Sequence, residues 1–297
     1  MIEGINKLDY NIIKWLENNF RNNFFDFLFK VITELGDKMI FILVVMVLFW
    51  AVNKRFAYKF LFAFIGSAFV NQIAKVVVKR PRPFKEPGIT SVGKESSGYS
   101  FPSGHSQSTG IIYYSFNDEY GKNNNLVKGI LIGILILVPF SRMYLAQHYL
   151  TDVLVGTIIG IIAAVVMYKV FELFKDKEHI YPLYAIPVII IVLALLINKE
   201  YDKYHELFVA GAGYIGFTIG YAIEKLYIKH NVETNLQNRI IKVVIGLLIV
   251  GGLYFGLKWL FSLISTENMI LDFLRYLIVA LTSTTLVPYL FTKMFKE

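Results

Sequence analysis

The chain has 297 residues, of which 56% are hydrophobic, 16% aromatic and only 18% charged; ordinary soluble domains carry roughly 25% charge, so this composition excludes one and indicates a polytopic membrane protein. The net charge of +8 does not indicate nucleic acid, because Lys and Arg fall in short interruptions between apolar runs and form no basic stripe; the expected partners are membrane lipids with anionic headgroups and a phosphorylated substrate. Cysteine is absent, which excludes disulfides, thiolate nucleophiles and Cys-based metal sites.

The first twenty residues contain no uninterrupted apolar core before a small-residue cleavage site, so no cleavable signal is expected there. Residues 8 to 35 place Ile12, Ile13, Leu16, Phe20, Phe24, Phe27, Leu28 and Val31 at helical spacing with Asp9, Lys14, Glu17 and Arg21 between them, the pattern of a helix lying in the membrane interface. Apolar segments follow at 39–53, 56–78, 104–116, 126–141, 151–173, 183–198, 206–228, 240–264 and 269–292. Most approach the ~20 residues that a bilayer crossing needs, which gives about nine spans. They must be helical, because lipid offers no partner to unpaired backbone groups.

The loop from Arg80 to Phe101 carries three prolines and three glycines and is expected to be irregular, covering one membrane face. If spans alternate, the opposite face receives Lys54, Arg55, Lys122, Lys128, Lys175, Lys177, Lys229, Arg239, Lys293 and Lys296. The positive-inside rule makes that face cytoplasmic and turns the loop outward, as expected of a plasma-membrane protein. In the segment 206–228, Gly211, Gly213, Gly216 and Gly220 read as close helix packing within or between subunits, the latter giving a homo-oligomer.

Three strings carry the chemistry: KVVVKRPRP at 75–83, PSGH at 102–105 and SRMYLAQHYLTD at 141–152. Lys75, Arg82 and Arg142 are the cations to hold phosphoryl oxygens, the Arg forks gripping two at once. Lys79, Arg80 and Lys85 read as interfacial side chains that snorkel. In PSGH, Ser103 is a candidate N-cap, Gly104 permits close backbone approach, and His105 falls in the first turn, where free N–H groups cradle an anion. His148 and Asp152, four apart, would share a helix face, the carboxylate orienting the imidazole. No HExxH and no carboxylate cluster accompanies the five histidines, so no metal and no other cofactor is expected. No GxSxG elbow occurs either.

Six residues separate Lys75 from Arg82-Pro83, PSGH follows, and five residues separate Ser141-Arg142 from His148, which three more separate from Asp152. In this order and spacing the set resembles the three-part signature of the type 2 phosphatidic acid phosphatase superfamily. The resemblance covers residues 1–175, a catalytic membrane domain, and leaves 176–297 as accessory helices. It implies an all-α membrane bundle with a six-helix-type core, to which this chain would add about four C-terminal spans. It further implies a metal-independent hydrolase of a lipid phosphate or diphosphate, working outside the cytoplasm. His148 would attack phosphorus to give a phosphohistidine, Asp152 would orient it, and His105 would protonate the leaving oxygen and later activate water. Lys75, Arg82, Ser103, Gly104 and Arg142 would bind the phosphate. Substrates open to such a site are an isoprenyl carrier diphosphate, phosphatidic acid, phosphatidylglycerophosphate or a sphingoid phosphate. The alternatives are a phosphatase of small soluble esters, a phosphotransferase, or a non-enzymatic lipid transporter or scramblase that keeps the motif for headgroup binding.

Overall fold

A chain this apolar must satisfy its backbone internally in lipid, and continuous apolar runs of this length do so as helices. The computed structural model describes residues 2–295, and among them every regular element is helical. Twelve α-helices follow in order: α1 (Ile2–Phe20), α2 (Asn23–Glu34), α3 (Lys38–Ala51), α4 (Lys54–Val78), α5 (Gly104–Phe116), α6 (Asn125–Tyr144), α7 (Leu150–Leu173), α8 (Ile186–Leu196), α9 (Tyr201–Ile223), α10 (Leu236–Ser262), α11 (Met269–Thr284) and α12 (Leu286–Met294). Lys296, counted above with the cytoplasmic cations, lies outside the described residues.

Each expected apolar segment is helical, but they are not alike. Among the described residues six stretches are long and apolar enough to cross a membrane: Lys54–Lys85, Asn125–Tyr144, Leu150–Leu173, Lys203–Ile228, Leu236–Ser262 and Met269–Met294, which make this a multi-pass integral membrane protein. The apolar helices Lys38–Ala51 and Tyr181–Leu196 are shorter. The segment 104–116 forms α5, shorter again, which buries Ser106, Gln107, Ser108 and Thr109 against protein. The single interfacial helix expected over 8–35 is two helices, since the Asn22 side chain accepts from the Phe25 N–H and starts α2 afresh.

Two compact units divide the chain: Met1–Ile42 with Gly66–Met167, and Leu43–Ile65 with Tyr168–Glu297. In the first, α1 packs Ile13 and Leu16 against Ile89, Met143, Ala146, Tyr149 and Val153, and α2 packs Phe29 against Val92, Tyr144 and Leu145. Their outer faces leave Trp15, Phe24, Phe27 and Val31 exposed, where an interfacial helix meets lipid. Helices α5 and α7 touch backbone to backbone: a Cβ on Gly160 would fall 2.1 Å from the Gln107 carbonyl oxygen, and one on Gly156 would fall 2.5 Å from that of Ser103. Gln107 also ties α5 to α4, donating to the Ser67 carbonyl at 2.9 Å and accepting from Asn71 at 2.6 Å. These contacts fix where PSGH sits.

The second unit is built on buried aromatic rings, Trp50, Tyr58, Phe60, Phe171, Phe217, Tyr221 and Phe291 among them. The Trp50 indole donates to the Ser283 carbonyl at 2.7 Å. Of the glycine cluster on α9, Gly216 abuts Ala280 and Gly220 abuts Thr284 on α11, so the close packing is within the chain; Gly213 faces open space.

Candidate active site

The site grows from three chain reversals in the first unit. Lys75 lies in the last turn of α4, Lys79 turns left-handed just beyond its end at φ 53, and Arg80-Pro81-Arg82 then runs without regular structure into a 3₁₀ turn at Pro83–Lys85, so that the two arginines take separate partners. Ser103 caps α5 by accepting from the Ser106 N–H at 3.3 Å, while its own N–H donates to the Asp152 carbonyl at 3.0 Å. A Cβ on Gly104 would meet nothing within 4 Å, so the start of α5 opens onto free space. Between α6 and α7 the Arg142 carbonyl accepts from both Gln147 at 3.0 Å and His148 at 3.2 Å. That closes the turn and returns His148 to the side of Arg142.

Arg82 is 3% exposed and every nitrogen of its fork is engaged: Nε donates to the Gly98 carbonyl at 3.1 Å, Nη2 to the Ser97 carbonyl at 2.7 Å, and Nη1 to the Gln147 carbonyl and to His148 Nε2, each at 3.1 Å. A guanidinium only donates, so Nε2 must be the accepting nitrogen and the proton of a neutral ring sits on Nδ1. Burial, then the charges of Arg82, Arg142 and Lys75, hold the His148 imidazole well below its usual pKa, which keeps it neutral near pH 7 with the Nε2 lone pair available.

His148 stands in the turn before α7, not on the helix as its spacing from Asp152 suggested. Nδ1 and the Asp152 carboxylate are 3.7 Å apart, and the Ser100 hydroxyl sits between them, 3.5 Å from Nδ1 and donating to Asp152 Oδ2. The buried carboxylate is fully paired: Oδ2 also accepts from the Tyr149 N–H at 2.9 Å and Oδ1 from Arg80 at 2.8 Å. Arg80 therefore does not snorkel. It bridges Asp152 to Asp9 of α1 at 2.7 Å, stacks over the Tyr149 ring at 4.0 Å, and shares Asp9 with Thr151. Two buried carboxylates without a cation between them would be costly, which accounts for its inward turn. Lys79 and Lys85 remain exposed.

Arg142 donates to the Thr33 hydroxyl of α2 and the Ser96 hydroxyl of the long loop, both at 3.0 Å, while its buried Nε has no partner. Ser96 is fixed in turn by Gln147, whose side-chain oxygen accepts from its N–H at 3.0 Å. His105 and His148 each lie within electrostatic reach of Arg82, Arg142 and Lys75, and of one another. The expected residues thus converge. Thr33, Ser96, Ser100, Gln147 and Arg80 join them; of these only Arg80 and Gln147 lie within the three motif strings. His179, His205 and His230 belong to the second unit, and among the described residues no three His, Asp or Glu side chains are placed to hold a metal ion.

The first unit of this helical membrane protein thus holds a buried, oriented imidazole against a guanidinium, with further cations and a second histidine at a helix start within electrostatic reach. The family model of the PAP2 superfamily matches residues 56–176, and that of the PAP2 superfamily phosphatase transmembrane extension matches 208–297. The chain belongs to the PAP2 superfamily. It is 26% identical to human sphingosine-1-phosphate phosphatase 2, over 68% of this chain and 54% of that one, and 27% identical to mouse sphingosine-1-phosphate phosphatase 1, over 75% and 57%. Phosphatidylglycerophosphatase B of Bacillus subtilis is 30% identical over 34% of this chain and 51% of its own. The chain spans about half the length of the curated relatives it matches. Among solved structures, Aquifex aeolicus LpxE aligns with a TM-score of 0.49 and 24% identity, covering 55% of this chain and 95% of that one.

Proposed function

We propose that this protein is an integral membrane phosphatase that hydrolyses a lipid phosphate or diphosphate through a phosphohistidine at His148, without a metal. The observation that carries the reading is the state imposed on that ring: buried and neutral, its proton turned toward Ser100 and Asp152, its Nε2 lone pair turned toward a guanidinium that a phosphoryl oxygen can take over. Nε2 attacks phosphorus while the ester P–O bond breaks, and His105 gives its proton to the departing oxygen. Arg82, Arg142, Lys75 and the backbone N–H groups at the Ser103-Gly104 start of α5 hold the charge that builds on the equatorial oxygens. Water then loses a proton to His105 and attacks, the P–N bond breaks, and the ring is restored. Residues 1–175 carry this chemistry and 176–297 are accessory.

Lipid is the favoured substrate because α1 and α2 present Trp15, Phe24 and Phe27 outward beside the site, so a headgroup can reach His148 while its tails stay in the bilayer. Relatives matched over two thirds or more of this chain are named for sphingosine 1-phosphate, which makes a sphingoid-base phosphate the first substrate to try. The site faces away from the cytoplasm: α4 starts at Lys54-Arg55 and carries Lys75 in its last turn, and α7 starts beside His148 and ends just before Lys175 and Lys177, so each helix has its non-catalytic end among the cations. Labelling of cysteines introduced at positions 85–95 in sealed cells tests this; protection from an impermeant reagent would reverse it.

The deciding experiment measures phosphate release by the detergent-solubilised full chain, in chelator, from sphingosine 1-phosphate, phosphatidic acid, phosphatidylglycerophosphate, an isoprenyl diphosphate and glucose 6-phosphate. Lipid turnover is expected, with inhibition by vanadate and a loss on the order of 10⁴-fold or more in His148→Ala. Turnover of the sugar phosphate alone would mark a phosphatase of soluble esters, and transfer to an added alcohol in place of water a phosphotransferase. No turnover in any arm would leave headgroup binding without catalysis.

A further inference from the structure

The turn between α2 and α3, read from sequence only as the end of an interfacial helix, touches the second histidine. Asp37 Oδ2 lies 3.8 Å from His105 Nε2. Gly36 makes that approach possible, since a Cβ there would fall 2.7 Å from Val138 Cγ1 and 3.1 Å from His105 Cβ. We propose that Asp37 is the positioning residue of His105, its carboxylate taking the Nε2–H so that Nδ1 is the nitrogen that gives and later recovers the proton.

This rests on the phosphatase reading and assigns each proton in it. In the first step the imidazolium of His105 loses the Nδ1 proton to the ester oxygen as the P–O bond breaks, and remains neutral with Nε2–H held toward Asp37. In the second, the Nδ1 lone pair takes a proton from water as oxygen bonds to phosphorus, and the electron pair of the breaking P–N bond returns to His148. A gap of 3.8 Å closes to a hydrogen bond with a modest shift of either side chain, and such contacts are commonly long before substrate binds. The need for a carboxylate follows from the surroundings. Burial first, and then Arg142 of α6, His148 of the α6–α7 turn, Lys75 of α4 and Arg82 of the long loop within electrostatic reach, oppose protonation of His105. Asp37 is the carboxylate placed against the ring, and its charge also reaches Arg142.

A purely structural role is available to Asp37, whose Oδ1 accepts from the Met39 N–H at 2.7 Å at the start of α3, so the test must separate the two. Asp37→Asn keeps an oxygen acceptor for that N–H and removes the charge. With the full chain in detergent, kcat/KM is measured against pH for sphingosine 1-phosphate, whose alkoxide must be protonated as it leaves, and for 4-nitrophenyl phosphate, whose leaving group needs no acid. Asp37→Asn is expected to lose about 10²-fold on the first substrate and less than about fivefold on the second, as general acid catalysis predicts, with thermal stability near wild type. The alkaline limb should move to lower pH, because removing an anion favours the neutral ring. His105→Ala should show the same split more strongly. Equal losses on both substrates with an unmoved limb, or wild-type rates, while His105→Ala keeps the split, would overturn the Asp37 assignment alone. If another lipid of the panel is the one turned over, it takes the place of sphingosine 1-phosphate; wild-type protein inert on every lipid and on 4-nitrophenyl phosphate would overturn the phosphatase reading and this inference with it.

Discussion

At His148 three cations and one carboxylate act in opposite senses. Arg82, Arg142 and Lys75 oppose a charge on the ring and burial does so first, while the Ser100 and Asp152 side orients the proton. A ring whose pKa is depressed stays deprotonated to lower pH than a free imidazole, so the acid limb of kcat/KM should lie below about 6.5. Lys75→Met removes one of those charges; the limb should move to higher pH by up to about one unit, and the rate should fall about 10- to 100-fold with the loss of one charge-assisted phosphate contact. A limb that stayed in place would show that Lys75 does not set the ring's state. At this scale the sequence was legible where chemistry recurs at fixed spacing: Lys75, Arg82, Ser103, Gly104, His105, Arg142, His148 and Asp152 converge from three motifs. Thr33 and Ser100 carry no local signal, because a hydroxyl becomes part of the site only through its position against residues 109 or 52 away.

Among elements, the contact between α5 and α7 decides whether PSGH meets His148. Apolar periodicity locates both α7 and α5, but a run such as GHSQSTGIIYYSF gives no sign from its own composition that the Gln107 amide will find Ser67 and Asn71 on α4. The break at Asn22 was hidden for a related reason, as the apolar spacing continues through it and only the cap marks it. The glycines that hold the two helices together make a contrast testable by single substitutions. Gly160→Ala would drive a methyl to 2.1 Å from the Gln107 backbone oxygen, where no flexible side chain can yield, so the helices must separate. The expected cost is about 1–3 kcal/mol, with a drop in melting temperature and a larger loss of kcat as Ser103 and His105 move. Gly133→Ala on α6 meets nothing within 4 Å and should leave both unchanged, or raise stability slightly through helix propensity. Equal behaviour of the two variants in a thermal melt would mean that the α5–α7 approach is looser than described.

For the whole molecule, the motifs and the folding units do not share a boundary. Every residue assigned to the chemistry lies within 1–175, yet residues Leu43–Ile65 belong to the compact unit that also holds Tyr168–Glu297. Within that unit Trp50 is fully buried, donates to Ser283 and rests on Gly246, Tyr58 stacks on Tyr221 with ring centroids 4.0 Å apart, and Lys54 pairs with Glu224 at 2.8 Å. A chain cut after residue 175 would strip these side chains of their partners and leave Lys54 without its carboxylate. Lipid can replace a lost apolar contact but not the acceptor of an indole N–H or the carboxylate partner of a half-buried ammonium. The truncated protein is therefore expected to be poorly expressed or polydisperse by size-exclusion chromatography in detergent, and without phosphatase activity, although it keeps His105, His148 and Asp152. Co-expression of 176–297 as a separate chain should restore part of both, because the lost contacts are noncovalent. A monodisperse and active 1–175 fragment would show instead that α3 and the start of α4 find sufficient partners in lipid, and that the C-terminal helices contribute something other than support.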